Sequence, residues 1–141
     1  AIAALSKLLE SIILVTNHAG VGKEFMTLET LEEIHTNMLQ AITAAGGRID
    51  KIYFCPSTDN KHINRKPNPG MALQAKQDFP EIDLKKSIMV GNMPNDMWFG
   101  RKFGAFTVYL PTRPEEKPDP STVDAQYKDL LAFAQALSSK A

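Results

Sequence analysis

Ser11-Ile12-Ile13-Leu14-Val15-Thr16, followed at once by Asn17, is an apolar, β-branched run with no polar alternation. A strand with one wet face alternates, whereas a strand covered on both faces does not, and such cover is typical of parallel sheets packed under helices. Lys51–Cys55 (KIYFC), Ser87–Gly91 (SIMVG) and Phe106–Leu110 (FTVYL) read as three more short strands. Helical segments fall around them, at 2–10, about Thr27–Ala45, Pro69–Phe79, Pro94–Phe103 and near Lys128–Ser138. In the longest, Thr27 is the expected N-cap. Leu28, Leu31, Ile34, Met38 and Ile42 form its apolar stripe, and Gly46-Gly47 ends it. Strands alternating with helices predict right-handed βαβ units. The expected fold class is therefore α/β, a three-layer Rossmann-like parallel sheet with helices on both faces and a minimal cap.

Ligands of such sheets bind beyond the carboxyl ends of the strands, so the residues that follow each strand carry the functional reading. Thr16 and Asn17 close the first strand with a hydroxyl and a carboxamide, which suit either a phosphate or a simple turn. After the second strand comes Arg65-Lys66-Pro67-Asn68-Pro69-Gly70-Met71. Here a planar fork and a point charge precede a helix start, read with Asn68 as N-cap and Pro69 at the first helical position. After the third strand comes Asn92-Met93-Pro94-Asn95-Asp96, oxygen-bearing residues that suit Mg²⁺ or a helix cap. All three groups belong on one rim, and together they read as one phosphate site. Lys66 can neutralise a phosphate there, or stand with Arg65 as a solvated pair on a polar loop; as it is a charge at the surface rim, its replacement by alanine is expected to spare stability. Cys55 and His62 are too few for structural zinc, and His18 and His35 read as a loop and a structural histidine.

The bulk of the chain sets the limits. At 141 residues it forms one domain, with residues 111–120 (four prolines) as an extended loop. Lysine plus arginine and aspartate plus glutamate balance at 16 each, so no net field recruits nucleic acid or an anionic membrane. No apolar run approaches the ~18 residues of a membrane span. A single cysteine, Cys55, fits a reducing cytoplasm. A monomer or small homo-oligomer is expected.

The set VTN (15–17), RKPNPGM (65–71) and MVGNMPND (89–96) resembles the haloacid dehalogenase superfamily of phosphatases. It is most similar to the cap-poor subgroup of histidinol-phosphate and heptose 1,7-bisphosphate phosphatases. GGRIDKIYFCP (46–56) and GRKFGAFTVYL (100–110) add to the likeness, which runs from Ala1 to about Leu110. The resemblance implies an Mg²⁺-dependent phosphomonoesterase for a small phosphorylated metabolite, working through a phosphoaspartate. It assigns phosphate binding to Thr16, Asn17 and Lys66, substrate contact to Arg65, and metal binding to Asn92 and Asp96. The nucleophile and general acid of that family form an Asp-x-Asp loop that no residue here matches; the first aspartate is Asp50. The chain opens on Ala1 within a helix, so that strand is expected upstream. Asn92 also stands where the family usually has aspartate. Two other readings remain: a catalytically inactive phosphate- or metabolite-binding domain of the same fold, and, more distantly, a receiver-like module.

Overall fold

A computed structural model describes residues 1–17, 28–55, 59 and 61–140. The elements run α1 (Ile2–Leu8), β1 (Ile13–Asn17), α2 (Leu28–Ala44), β2 (Lys51–Cys55), α3 (Gly70–Asp78), β3 (Ile88–Gly91), α4 (Pro94–Phe103), β4 (Phe106–Tyr109), β5 (Ala125–Gln126) and α5 (Leu130–Lys140). Short 3₁₀ turns at Leu84–Lys86 and Pro120–Thr122 complete the order. The expected N-cap Thr27, the loop histidine His18 and the side chains of Leu28 and Leu31 lie outside the described residues.

Every strand pair is parallel, as the unalternating apolar runs require. The ladders come in two pieces, β1-β2 and β3-β4-β5. Two apolar clusters cover opposite faces. Met71, Ala72 and Ala75 of α3 and Phe99 of α4 pack on Tyr53, Cys55 and Met89. On the other face Leu5 of α1 and Phe133 and Ala134 of α5 pack on Val108 and Leu110, with Val90 beside them. Met89 and Val90 are sequence neighbours in different clusters, as alternation along a doubly covered strand demands.

Several sequence expectations shift. Asn68 is not the N-cap of α3: Pro69 holds that place and the helix starts at Gly70. The Asn68 side chain instead donates to the His62 carbonyl (2.9 Å), which tightens the preceding turn. Neither Asn92 nor Asn95 caps α4, where the N-cap is Met93. Of the α2 stripe, Met38 and Ile42 are half-buried but Ile34 is 46% exposed, and His35 sets its ring edge against Phe54. The strand β5 was not foreseen because two residues carry no periodic signal. It is held by a side chain: Asp124 accepts two hydrogen bonds from Arg101 (2.8 Å each) and one from the Thr107 amide (2.9 Å).

Arg48 ties the opening of the chain to the sheet. Its guanidinium donates to the carbonyls of Ser6, Leu9 and Glu10 at the end of α1. Asp50 accepts from the Ile12 amide (2.6 Å) and from Arg48 (3.3 Å). These bonds satisfy helix-end carbonyls that otherwise have no partner and fix the entry into β1.

Candidate active site

Lys66 is the centre of the rim. Its ammonium donates to the Val15 carbonyl in the middle of β1 (3.1 Å) and to Asp96 Oδ1 on α4 (2.6 Å). The side chains of the pair are only 12% and 8% exposed. The lysine is therefore an anchored, largely desolvated charge, not a surface one.

Asn17 fixes the backbone of that lysine. Its Oδ1 accepts from the Lys66 amide (3.0 Å) and its Nδ2 donates to the Lys66 carbonyl (3.3 Å), a reciprocal clamp across 49 residues of sequence. The loop is stiff on its own account. Amides of Arg65, Asn68 and Gly70 donate to the carbonyls of His62, Arg65 and Ile63 (3.0, 2.8 and 2.8 Å). A Cβ on Gly70 would overlap Asn64 and the Ile63 carbonyl, so only glycine fits there. Arg65 lies half-buried in the same turn. Thr16 is half-buried at the penultimate position of β1, and its hydroxyl has no partner among the described residues.

Asp96 does two jobs with its two oxygens. Oδ1 takes the lysine, while Oδ2 accepts from the amides of Asn92 and Met93 (3.2 Å each). The carboxylate sits in the first turn of α4, where the helix dipole favours it. It can fold back over the end of β3 only because residue 91 is glycine; a Cβ there would overlap the Asp96 side chain. The sequence marked Asp96 but not this need for Gly91. It also missed Thr112 of the proline-rich loop, whose hydroxyl accepts from Asn92 Nδ2 (3.0 Å). Arg113 of the same loop reaches back to the Met93 sulfur (3.3 Å).

The structure thus brings Asn17, Lys66, Asn92 and Asp96 into one hydrogen-bonded rim, with Thr16 and Arg65 adjoining in sequence. What it can do follows from charge: an ammonium held rigidly at strand ends stabilises an oxyanion without reorganising. A metal is a different matter. Mg²⁺ takes several oxygen ligands. Among the described residues no group of three or more His, Cys, Asp or Glu could hold an ion, and Asp96, the acid at the rim, is engaged by Lys66. These residues alone do not fit a magnesium site. Cys55 and His62 do meet (3.8 Å), as a pair and not as a metal set.

A parallel α/β sheet with a clamped lysine facing its strand ends is the architecture of haloacid dehalogenase-type phosphatases. Residues 1–135 match the family described as polynucleotide kinase 3 phosphatase, and the chain belongs to that family, within the haloacid dehalogenase superfamily. A D-glycero-alpha-D-manno-heptose-1,7-bisphosphate 7-phosphatase of Burkholderia mallei is 35% identical over 106 residues, 70% of this chain and 56% of that protein. A D-glycero-beta-D-manno-heptose-1,7-bisphosphate 7-phosphatase of Pseudomonas putida is 32% identical over 142 residues, covering 97% of this chain and 80% of its own. The chain thus spans little more than half of the first of these relatives. Among solved structures, a D,D-heptose 1.7-bisphosphate phosphatase from B. bronchiseptica, complexed with magnesium and phosphate, superposes with a TM-score of 0.86. It is 27% identical and is matched over 99% of this chain and 80% of its own.

Proposed function

We propose that this chain supplies the phosphate-binding and charge-neutralising part of a phosphomonoesterase for a small phosphorylated sugar. A heptose 1,7-bisphosphate is the substrate the relatives favour, and histidinol phosphate is the other candidate. One observation carries the reading: the Lys66 ammonium is buried between Val15 and Asp96 near the strand ends. A buried lysine needs a counter-charge, and Asp96 provides it while keeping the ammonium at the rim. Thr16 would bond the transferring phosphoryl group and Arg65 would contact the rest of the substrate. Asn17 supports the site mainly through the Lys66 backbone.

Magnesium, present in the B. bronchiseptica structure, is the proposed cofactor, and it would neutralise charge on the phosphoryl oxygens. Asn92 Oδ1 is the ligand this chain would offer, with carboxylates from outside these residues. The nucleophilic aspartate is likewise proposed to come from outside them. A second reading, a silent phosphate-binding domain, is favoured by Asn92 at the metal position and by the absence of a second carboxylate beside Lys66 among the described residues. The residues encoded upstream of Ala1 separate the two. A strand ending in Asp-x-Asp, with sugar-phosphate hydrolysis by that longer chain that EDTA abolishes, supports the enzyme. No such pair, or hydrolysis indifferent to EDTA, overturns it.

A further inference from the structure

Cys55 and His62 meet, and the proposed phosphate chemistry uses neither. The Asn64 amide donates to His62 Nδ1 (3.1 Å), and the Cys55 sulfur lies 3.8 Å from the same nitrogen. A backbone amide can only donate, so Nδ1 is the acceptor and the neutral ring carries its proton on Nε2. The carbonyl of His62 is engaged as well: it accepts from the Arg65 amide (3.0 Å) and from Asn68 Nδ2 (2.9 Å). Its amide donates to the Asp59 carbonyl (3.0 Å). One residue thus holds Asn64, Arg65 and Asn68, on both sides of Lys66.

The sheet anchors this hub. Cys55 ends β2 and is the register partner of Asn17, which ends β1. Asn17 clamps the Lys66 peptide unit, and Cys55 meets the His62 ring. Two adjacent strand ends therefore hold the loop at two points. The ionisable groups around His62 among the described residues include the Cys55 thiol from β2 and Asp59, Lys61 and Arg65 of its own loop. Lys102 of α4 reaches the same loop at Asn68 Oδ1 (3.5 Å).

We propose that His62 is a positioning residue for the anion site, its unprotonated Nδ1 keeping residues 62–68 in the turn that presents Lys66. A protonated imidazole carries a hydrogen on both nitrogens, so Nδ1 would then face the Asn64 N–H with a donor of its own. Acid therefore releases Asn64 and loosens the turn, and histidine is the side chain that changes charge between about pH 5 and 8. Simple attraction gives the opposite trend, since a positive charge added near the rim favours an anion. Asparagine is the informative replacement. Its Oδ1 stands where Nδ1 stands and accepts from the amide two residues on, as in an Asx turn, without taking up a proton. This role for His62 rests on Lys66 being the anion-binding residue.

The test is an NMR titration with sulfate at about pH 7.5 and about pH 5.5, a range over which sulfate keeps its charge and histidine does not. Wild type should bind about tenfold more weakly at the lower pH, as expected when a hydrogen-bonded turn is lost. His62→Asn should match wild type at the higher pH and show no pH dependence. His62→Ala should be about tenfold weaker at both. Without sulfate, the Lys66 amide of wild type should move together with the His62 ring signals on acidification, and stay still in His62→Asn. A Lys66 amide that ignores the ring, or sulfate binding that tightens or holds in acid, overturns the proposal. So does His62→Asn behaving as His62→Ala, because the acceptor atom is then not what matters. In a chain that binds no sulfate at either pH, a Lys66 amide that follows the ring supports the His62 hold on the loop and overturns the phosphate reading alone.

Discussion

Lys66 stands out in the sequence by the Pro67-Asn68-Pro69-Gly70 run behind it, but its burial comes from the company it keeps in space. A carbonyl and a carboxylate hold its ammonium, and Asn17 holds both polar groups of its peptide unit. Removing one member of a buried pair leaves the other uncompensated, at a cost of about 3–5 kcal/mol. Lys66→Ala should therefore lower unfolding free energy by about 3 kcal/mol in urea titration as well as remove phosphate binding. The low exposure of the pair argues against the expectation that the substitution spares stability, and a cost below about 1 kcal/mol would show the pair to be solvated after all. Gly91→Ala should act on the same pair from the opposite side. Its new methyl group collides with Asp96 and should cost about 1–3 kcal/mol. Wild-type stability in that variant would mean that Asp96 need not fold back over β3.

The strands and helices were legible because burial on both faces writes itself as unbroken apolar runs. β1, β2, β3 and β4 fall where those runs predict, and α4 has the limits read from Pro94 and Gly104. Gly104 ends that helix at φ 82°, the left-handed conformation glycine takes without strain. What stayed hidden depends on contacts between distant residues. β5 exists because Asp124 reaches Arg101 and Thr107, and no local pattern announces that. The same holds for Thr112 on Asn92 and for the Asn17 clamp. Asp124 also makes β5 sensitive to acid. The Arg101 guanidinium, then the Thr107 amide, hold its carboxyl down to about 2, against the usual 3.8. Its contribution is thus complete above the unfolded value and fades as pH falls from about 4 to about 2. Allowing for solvent screening of this partly exposed group, it is about 1 kcal/mol. Asp124→Asn should be less stable than wild type by that amount at neutral pH, with the gap closing below pH 4 in thermal melts. A constant gap would place the effect in shape rather than charge.

At the scale of the molecule, two half-sheets carry the rim residues on separate ladders, with Asn17 on one and Asp96 beyond the other. Lys66, from the loop between β2 and α3, joins them. The fold therefore assembles a charge site whose parts lie up to 80 positions apart, from Thr16 to Asp96. No described helix is long and apolar enough to cross a membrane, and with lysine plus arginine balanced by aspartate plus glutamate at 16 each there is no net field to draw anions, so the proposed anion site is this rim. Inorganic phosphate is the simplest probe of it. In a two-dimensional NMR titration, the amides of Thr16, Asn17, Lys66 and Asn92 should shift together along one saturating curve. The shifts should vanish in a folded Lys66→Gln variant. Shifts that scatter over other lysines, or that persist unchanged without Lys66, would contradict a single phosphate site at the strand ends.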